Sequence, residues 1–516
     1  MFYILRNGAD FFKKKQVNIL SAAFVIATSV AISRILGLVR YRLLASYFGD
    51  DIKLLDSFIA ASILPEAIFE VLIFGTIALA FIPVFSQYLS RDKLEKAWNL
   101  SSTMISWAIV IFIVFTIVVI AAADLLAPII APGVSFLIPA LASIFYNVGI
   151  ITSIVFLAPV FGIYAPAIGM ILGALLHLII QLPLAFSLGF KFKFNLDFKN
   201  KDFRETISLM WPRSIALGFT RISDIINIAL ASTAVVGSIV AFNFAQVLQL
   251  VPISLFAGSL AQAALPSLSI EFNAKRKEQF KKVFVESFHQ ILFLILPAAA
   301  ILAILRIPAV RLVFGAREFP WETTVLTGRV LIAFSAGIAA QAASLLLTRG
   351  FYAIRDSITP VKVNIASVVV NITLSLVFFL VFKLSIIYLA VAYSTANILN
   401  VLLLLYLLDR KVVFDKKALL IPVIKMGFIS LLTAVSLYIP MKLLDQLVFD
   451  TTRTIGLLLL TGVATFVGLL VYASLSLLLK VEQLFIFVHF ARRILFMPTK
   501  LVSPAPTSID AQQPNP

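Results

Sequence analysis

Apolar residues in this chain come in long unbroken blocks, not in the alternating or one-faced patterns of soluble strands and helices. Thirteen blocks can be drawn, with cores near 17–39, 58–88, 101–131, 136–158, 162–188, 205–232, 235–268, 283–314, 325–350, 360–383, 385–409, 418–442 and 453–480. A helix needs roughly 20 apolar residues to cross the hydrocarbon layer, and every block is that long. The pattern predicts an all-α polytopic membrane protein. The tail from Pro498 is polar and rich in Pro and Ser, and reads as disordered.

Basic residues fall into only some of the connections. They occupy 13–15, 89–98, 189–204, 271–282, 409–417 and the stretch carrying Arg349, Arg355 and Lys362, whereas 132–135, 159–161 and 232–235 have none. The positive-inside rule places the basic loops and both termini in the cytoplasm. Two cytoplasmic loops need an even number of crossings between them, yet three blocks lie between 98 and 189.

An internal repeat points to the same interval. Gly75 to Pro83 and Gly258 to Pro266 are both eight residues and precede basic loops, and Pro139/Pro360 and Ile163-Tyr164/Ile387-Tyr388 continue the correspondence. Pro83 to Pro139 is 56 residues but Pro266 to Pro360 is 94, so the first lobe is 38 residues short, about one span and a loop. The expected organisation is a cytoplasmic N-terminus (1–16), an N-terminal lobe one helix short (17–188) and a basic linker (189–204). A C-terminal lobe (205–409), two additional helices (410–480) and a cytoplasmic tail (481–516) follow.

Composition agrees. Hydrophobic residues make up 61% and charged residues 13%, against about 25% charged in soluble domains. The net charge of +17 is carried largely by the loops, so no nucleic-acid partner is expected. There is no cysteine, hence no disulfide and no thiolate metal site. His177, His289 and His489 belong to no metal or triad motif, and no P-loop or nucleophile constellation is present. Neither enzyme activity nor a cofactor is expected.

Charge inside the blocks is the candidate chemistry, because a charge at bilayer depth is costly and tends to face a protein interior or an aqueous cavity. Arg34, Arg40 and Arg42 cluster at the far end of the first block; they either form a cationic wall for an anionic substrate or snorkel to the interface. Glu66 and Glu70 are four apart on one helical face, and Arg213, Arg221 and Asp224 share the sixth block. Either these line a cavity as ion partners or proton carriers, or they neutralise one another in internal salt bridges. Repeated lobes place a substrate path at their interface in many transporters.

The strings SRILGLVR (33–40), LPEAIFEVLIFGTIALAFIPVFSQY (64–88), LMWPR, ALPSLS and GFYAIRDSITPVKV resemble the MurJ/MviN lipid II flippases of the multidrug/oligosaccharidyl-lipid/polysaccharide exporter superfamily. The resemblance implies fourteen spans, with this chain lacking the fourth. It implies translocation of an undecaprenyl-pyrophosphate-linked peptidoglycan precursor across the bacterial cytoplasmic membrane by alternating access. Membrane lipids surround the path, and cell-wall synthesis proteins are left open as partners. Ser33, Arg34, Gly37 and Arg40 match the first-helix motif, and Asp56 matches the acidic residue opening the second span. Elsewhere the sequence departs: Glu66, Phe69, Glu70 and Phe74-Gly75 replace the family's Asn, arginines and acidic-Gly pair, and Gln246-Val247 replaces an Asp-Arg pair. Guanidinium groups suit phosphate through planar multi-donor hydrogen bonds, so Arg34, Arg40, Arg213 and Arg221 are the expected remaining set. Coupling to Na+ or H+ is open: the family's sodium-site positions correspond to Asn227, Asn371, Ser375 and Thr395, with the acidic ligands missing at 227 and 375. Alternative functions are transport of another polyprenyl-linked glycan, cation-coupled export of a small molecule, or a non-transporting membrane scaffold.

Overall fold

The structure is a computed structural model describing residues 19–69, 99–104, 106–107, 138–179, 194–195, 197, 201–315, 319–447, 451 and 453–487. Every regular element among them is helical. The first lobe contributes α1 (Ile19–Phe48), α2 (Ile52–Phe69), α3 (Ile138–Phe161) and α4 (Tyr164–Ile179). The second contributes α5 (Lys201–Ser232), α6 (Ser238–Pro252), a π-helical segment (Ile253–Gly258), α7 (Ser259–Asn273), α8 (Lys277–Ile304), α9 (Arg306–Phe314), α10 (Trp321–Ala353), α11 (Ile358–Leu376) and α12 (Ile387–Val412). The additional pair is α13 (Lys416–Leu447) and α14 (Thr454–Leu478). Seven spans among the described residues are long and apolar enough to cross a membrane: Ser238–Asn273, Lys277–Ile304, Trp321–Ala353, Ile358–Val381, Ile387–Val412, Lys416–Asp445 and Thr454–Leu478. The expected shortfall between 83 and 139 lies almost wholly outside the described residues.

Bilayer lipid is as apolar as a Leu side chain, so helices associate in it through close backbone approach and polar contacts. The α3–α4 hairpin shows the first device. A Cβ on Gly149 would come within 2.4 Å of the Gly173 Cα, and one on Gly169 within 2.7 Å of the Ile150 Cα. In the second lobe Gly337 of α10 faces Ser394 of α12 equally closely, and the Ser394 hydroxyl donates to the Ala333 carbonyl at 2.8 Å. Tyr164 and Ile387, two members of the repeated pairs, each begin a helix that follows a short turn.

Two element boundaries differ from the hydrophobic pattern. The first block ends near 39 in sequence, but α1 runs on to Phe48, because Arg40 and Arg42 find partners inside the protein. The block 283–314 is two helices, divided at Leu305, with Pro308 in the first turn of α9, where a missing N–H is tolerated. The π-helical segment directly follows Pro252, which lacks the donor that would continue the regular ladder. Gly37 does not mark a close approach, since a Cβ there would meet nothing within 4 Å.

Candidate functional site

The two lobes meet where α1 ends and α2 begins. Asp56, in the first turns of α2, is buried, and its two carboxylate oxygens accept the backbone N–H groups of Gly237 and Val240, each at 2.7 Å. Those N–H groups belong to the start of α6, whose own N-cap residue, Gly237, supplies no side-chain cap. The first lobe therefore caps a helix of the second, and the carboxylate sits at the positive end of the helix dipole. Gly237 has φ +88°, a left-handed conformation that costs other residues about 1–2 kcal/mol.

Arg42 makes the converse contact. Its Nη1 donates to the Leu312 carbonyl at 2.7 Å, in the last turn of α9, where a cation complements the negative helix end. Between the two contacts, Tyr41 of α1 lies edge-on to Phe244 and Phe314, which stack at 4.1 Å. A carboxylate, a guanidinium and an aromatic wedge thus close one end of the inter-lobe boundary.

Beneath this closure is a small, partly open pocket lined by Arg40, Tyr41, Ser62, Met170 and Asn243 among others. The Arg40 guanidinium lies over the Tyr41 ring, 4.7 Å from its centroid. Asn243 comes from α6 and Met170 from α4, so both lobes form the walls. Farther along α1, Arg34 is exposed and so is Ile35, at 61%. Arg34 and Arg40 therefore do not converge: only Arg40 lines the pocket. Ser33 faces α3, within 3.4 Å of the Asn147 amide. Asp56, expected among substrate ligands, is instead engaged in capping. Glu66 lies on α2, but its side chain, that of Arg213, and Glu70 as a whole are outside the described residues.

A second polar region lies within the second lobe. Arg221 Nη1 is 2.9 Å from Asp224 Oδ2 on α5. Thr220, Ser223 and Asp224 face Asn364 and Asn371 of α11 and Tyr393, Asn397 and Asn400 of α12 around a small, half-open cavity. Of the sodium-site positions, three come together: Ser375 donates to Asn227 Oδ1 at 2.8 Å, and Asn371 donates to Ser223 Oγ at 2.7 Å. Thr395 does not join them; it is on the exposed face of α12. A hard cation needs several free oxygen ligands. Here the Ser375 hydroxyl lies against Asn227 Oδ1 and Asn371 Oδ1, and neither 227 nor 375 is acidic; the nearest carboxylate along α5, Asp224, is paired with Arg221. A cation at these positions would have to displace those hydrogen bonds without an acidic ligand at 227 or 375.

Sequence reasoning missed the amide ladder of α6. Asn243, Gln246 and Gln249 recur every third residue along one side of an apolar helix. Gln246 lies beside Asp224, and Gln249 Oε1 accepts from Gln341 of α10 at 3.0 Å. Their spacing in FNFAQVLQLVP was the available signal.

A family model described as the lipid II flippase MurJ matches residues 44–136 and 133–460. The chain belongs to the MurJ family. A probable lipid II flippase MurJ of Bdellovibrio bacteriovorus is 25% identical over 524 aligned positions, which take in 93% of this chain and 98% of the relative. The lipid II flippase MurJ of Burkholderia cenocepacia is 24% identical over 399 positions, covering 69% of this chain and 77% of its own. A solved lipid II flippase MurJ in an inward closed conformation superposes with a TM-score of 0.67 at 23% identity, over 92% of this chain and all of that one. A multidrug resistance MATE family transporter in an inward-facing conformation gives 0.54 at 11% identity, over 77% and 96%. Both likenesses show a shared fold. The 524 positions of the Bdellovibrio comparison use 93% of 516 residues, about 480, so about 44 positions of that MurJ protein face no residue here. The match to the MurJ model is itself in two pieces that meet at 133–136.

Proposed function

We propose that this chain flips lipid II across the cytoplasmic membrane by alternating access between its lobes. Membership of the MurJ family gives the substrate class, and Arg40 in the inter-lobe pocket is the observation that carries the reading. A pyrophosphate headgroup cannot cross hydrocarbon unaided, and a guanidinium offers it charge and paired donors in a site shielded from bulk water. The lipid tail stays in the bilayer while the headgroup passes between the lobes.

With the N-terminus in the cytoplasm, α1 ends at the outer face, and the Asp56 and Arg42 contacts become the outer gate, here shut. The exposed stretch around Arg34 then lies on the cytoplasmic side, where the headgroup arrives before reaching Arg40. The first lobe achieves this with one span fewer than the second. The two-piece family match and the unmatched positions of the relatives support that reading.

The test is lipid II translocation in cells depleted of their own flippase. Rescue by the wild type and not by Arg40→Ala is the expected result; failure of a well-inserted wild type would overturn the assignment. Gln246-Val247, where the family resemblance leads one to expect an Asp-Arg pair, favours one second reading: a different polyprenyl-pyrophosphate glycan, recognised by the same headgroup chemistry.

A further inference from the structure

Asp224 is an acid that simple alternating access leaves without a role. It lies eight residues before the end of α5, about 12 Å at the helical rise, on the side of that helix facing α11 and α12. Arg221 is its ion partner, and the Arg221 side chain is 28% exposed, which leaves the guanidinium within reach of the open side. Among the described residues, the elements packed around the carboxylate add one other titratable group, Tyr393 of α12; α6 presents the Gln246 amide, and α11 presents Asn364, Ser367 and Asn371. The link to the substrate pocket is short. Gln246 touches Asp224, and Asn243, one turn away on α6, lines the pocket that holds Arg40.

We infer that Asp224 is a proton-binding site coupled to substrate through Arg221, whose guanidinium is shared between this carboxylate and the diphosphate of the headgroup. Breaking a half-buried pair leaves a charge without its partner in a poorly solvated place, which is unfavourable. When Arg221 turns to phosphate, Asp224 loses its counter-charge in a cavity otherwise walled by amides and hydroxyls. Uptake of one proton from the aqueous side restores neutrality, and return of Arg221 after release of the headgroup expels it. No other bond is made or broken. This coupling rests on the pocket receiving a pyrophosphate.

The experiment has two arms on the full-length protein in lipid nanodiscs. In the first, without ligand, infrared spectra near neutral pH are compared for wild type, Arg221→Gln, Arg221→Lys and the Arg221→Gln/Asp224→Asn double variant. A protonated-carboxyl band is expected in Arg221→Gln alone, with Arg221→Lys retaining the pair. Absence of that band from a folded Arg221→Gln, or its persistence in the double variant, overturns the proton site. In the second, undecaprenyl pyrophosphate is added under weak buffering with a pH dye. Wild type should take up about one proton per bound lipid and Asp224→Asn none. Binding with equal uptake in both overturns the coupling. No binding at all, with the first arm positive, keeps the proton site but removes the pyrophosphate ligand and with it the proposed function.

Discussion

Asp56 and Gly237 stand 181 residues apart, yet the carboxylate of one accepts the backbone N–H of the other at 2.7 Å. Asp56→Ala would leave two buried N–H groups at the start of α6 without that acceptor, a loss of about 1–3 kcal/mol. Each 1.4 kcal/mol is tenfold in an equilibrium, so the shut form should lose about one to two decades of population. Asp56→Asn, which keeps one acceptor oxygen, should fall between. The chain has no cysteine, so a single Cys at Asn243 can report reaction with an impermeant thiol reagent added outside cells. Faster labelling in Asp56→Ala is expected; an unchanged rate would show that the contact does not hold the gate.

Arg40 and Arg34 should not be equivalent. Arg40→Ala is expected to lower translocation by at least about tenfold, as loss of a charge-assisted contact in a shielded pocket predicts. Arg34→Ala, on the exposed part of α1, should cost less. Complementation at matched expression orders the two variants.

The loop between α10 and α11 carries a pH-dependent contact. Burial alone would raise the Asp356 carboxyl, but hydrogen bonds from Lys411 and Thr359 outweigh it and hold its pKa down at about 2. A depressed carboxylate pKa stabilises the fold above its ordinary value of 3.8, and that contribution is lost as pH falls through about 2. Asp356→Asn should therefore lower Tm in detergent at neutral pH, and the difference should vanish near pH 2.

Replacing Na+ by K+ should leave Tm and translocation unchanged, because Asn227, Asn371 and Ser375 are already hydrogen-bonded without a carboxylate. Restoring acids with Asn227→Asp and Ser375→Asp should introduce a Na+-dependent rise in Tm. A Na+ response in the unmodified chain would contradict this account.

Single cysteines at Phe194 and Asn273 should both stay protected from an external thiol reagent in intact cells. Protection at both requires an even number of crossings before each, so one of the three segments between 98 and 189 would have to be re-entrant or otherwise non-spanning; labelling at 194 alone would mean that the basic loop 189–204 violates the positive-inside rule.

Much of the helical order was legible in sequence because a span must be apolar throughout, and blocks such as 325–350 and 385–409 sit well inside α10 and α12. The end of α1 was not legible: Arg40 and Arg42 read as a boundary, and only tertiary structure supplies the Leu312 carbonyl that receives Arg42 and the Phe244 and Phe314 rings that hold Tyr41, the ring under Arg40. Arg40 could be picked out as a charge at depth, but residue type could not separate it from Arg34, since lining a pocket depends on which face meets the other lobe. Thr395 was misplaced for the same reason, by the rotation of α12. Asp56 was noticed and its role missed, because its partners are main-chain atoms that carry no residue signature.

The same feature bears on how this protein tolerates change. A latch whose receiving half is two peptide N–H groups is specified by one lobe only. The side chains at 238–240 are buried and constrained by packing, but none of them carries the contact itself, provided Gly237 keeps its left-handed turn. A mutation-by-mutation search for side chains that compensate for loss of Asp56 should come up nearly empty, and the gate should depend on side-chain identity at Asp56 and on backbone conformation at Gly237.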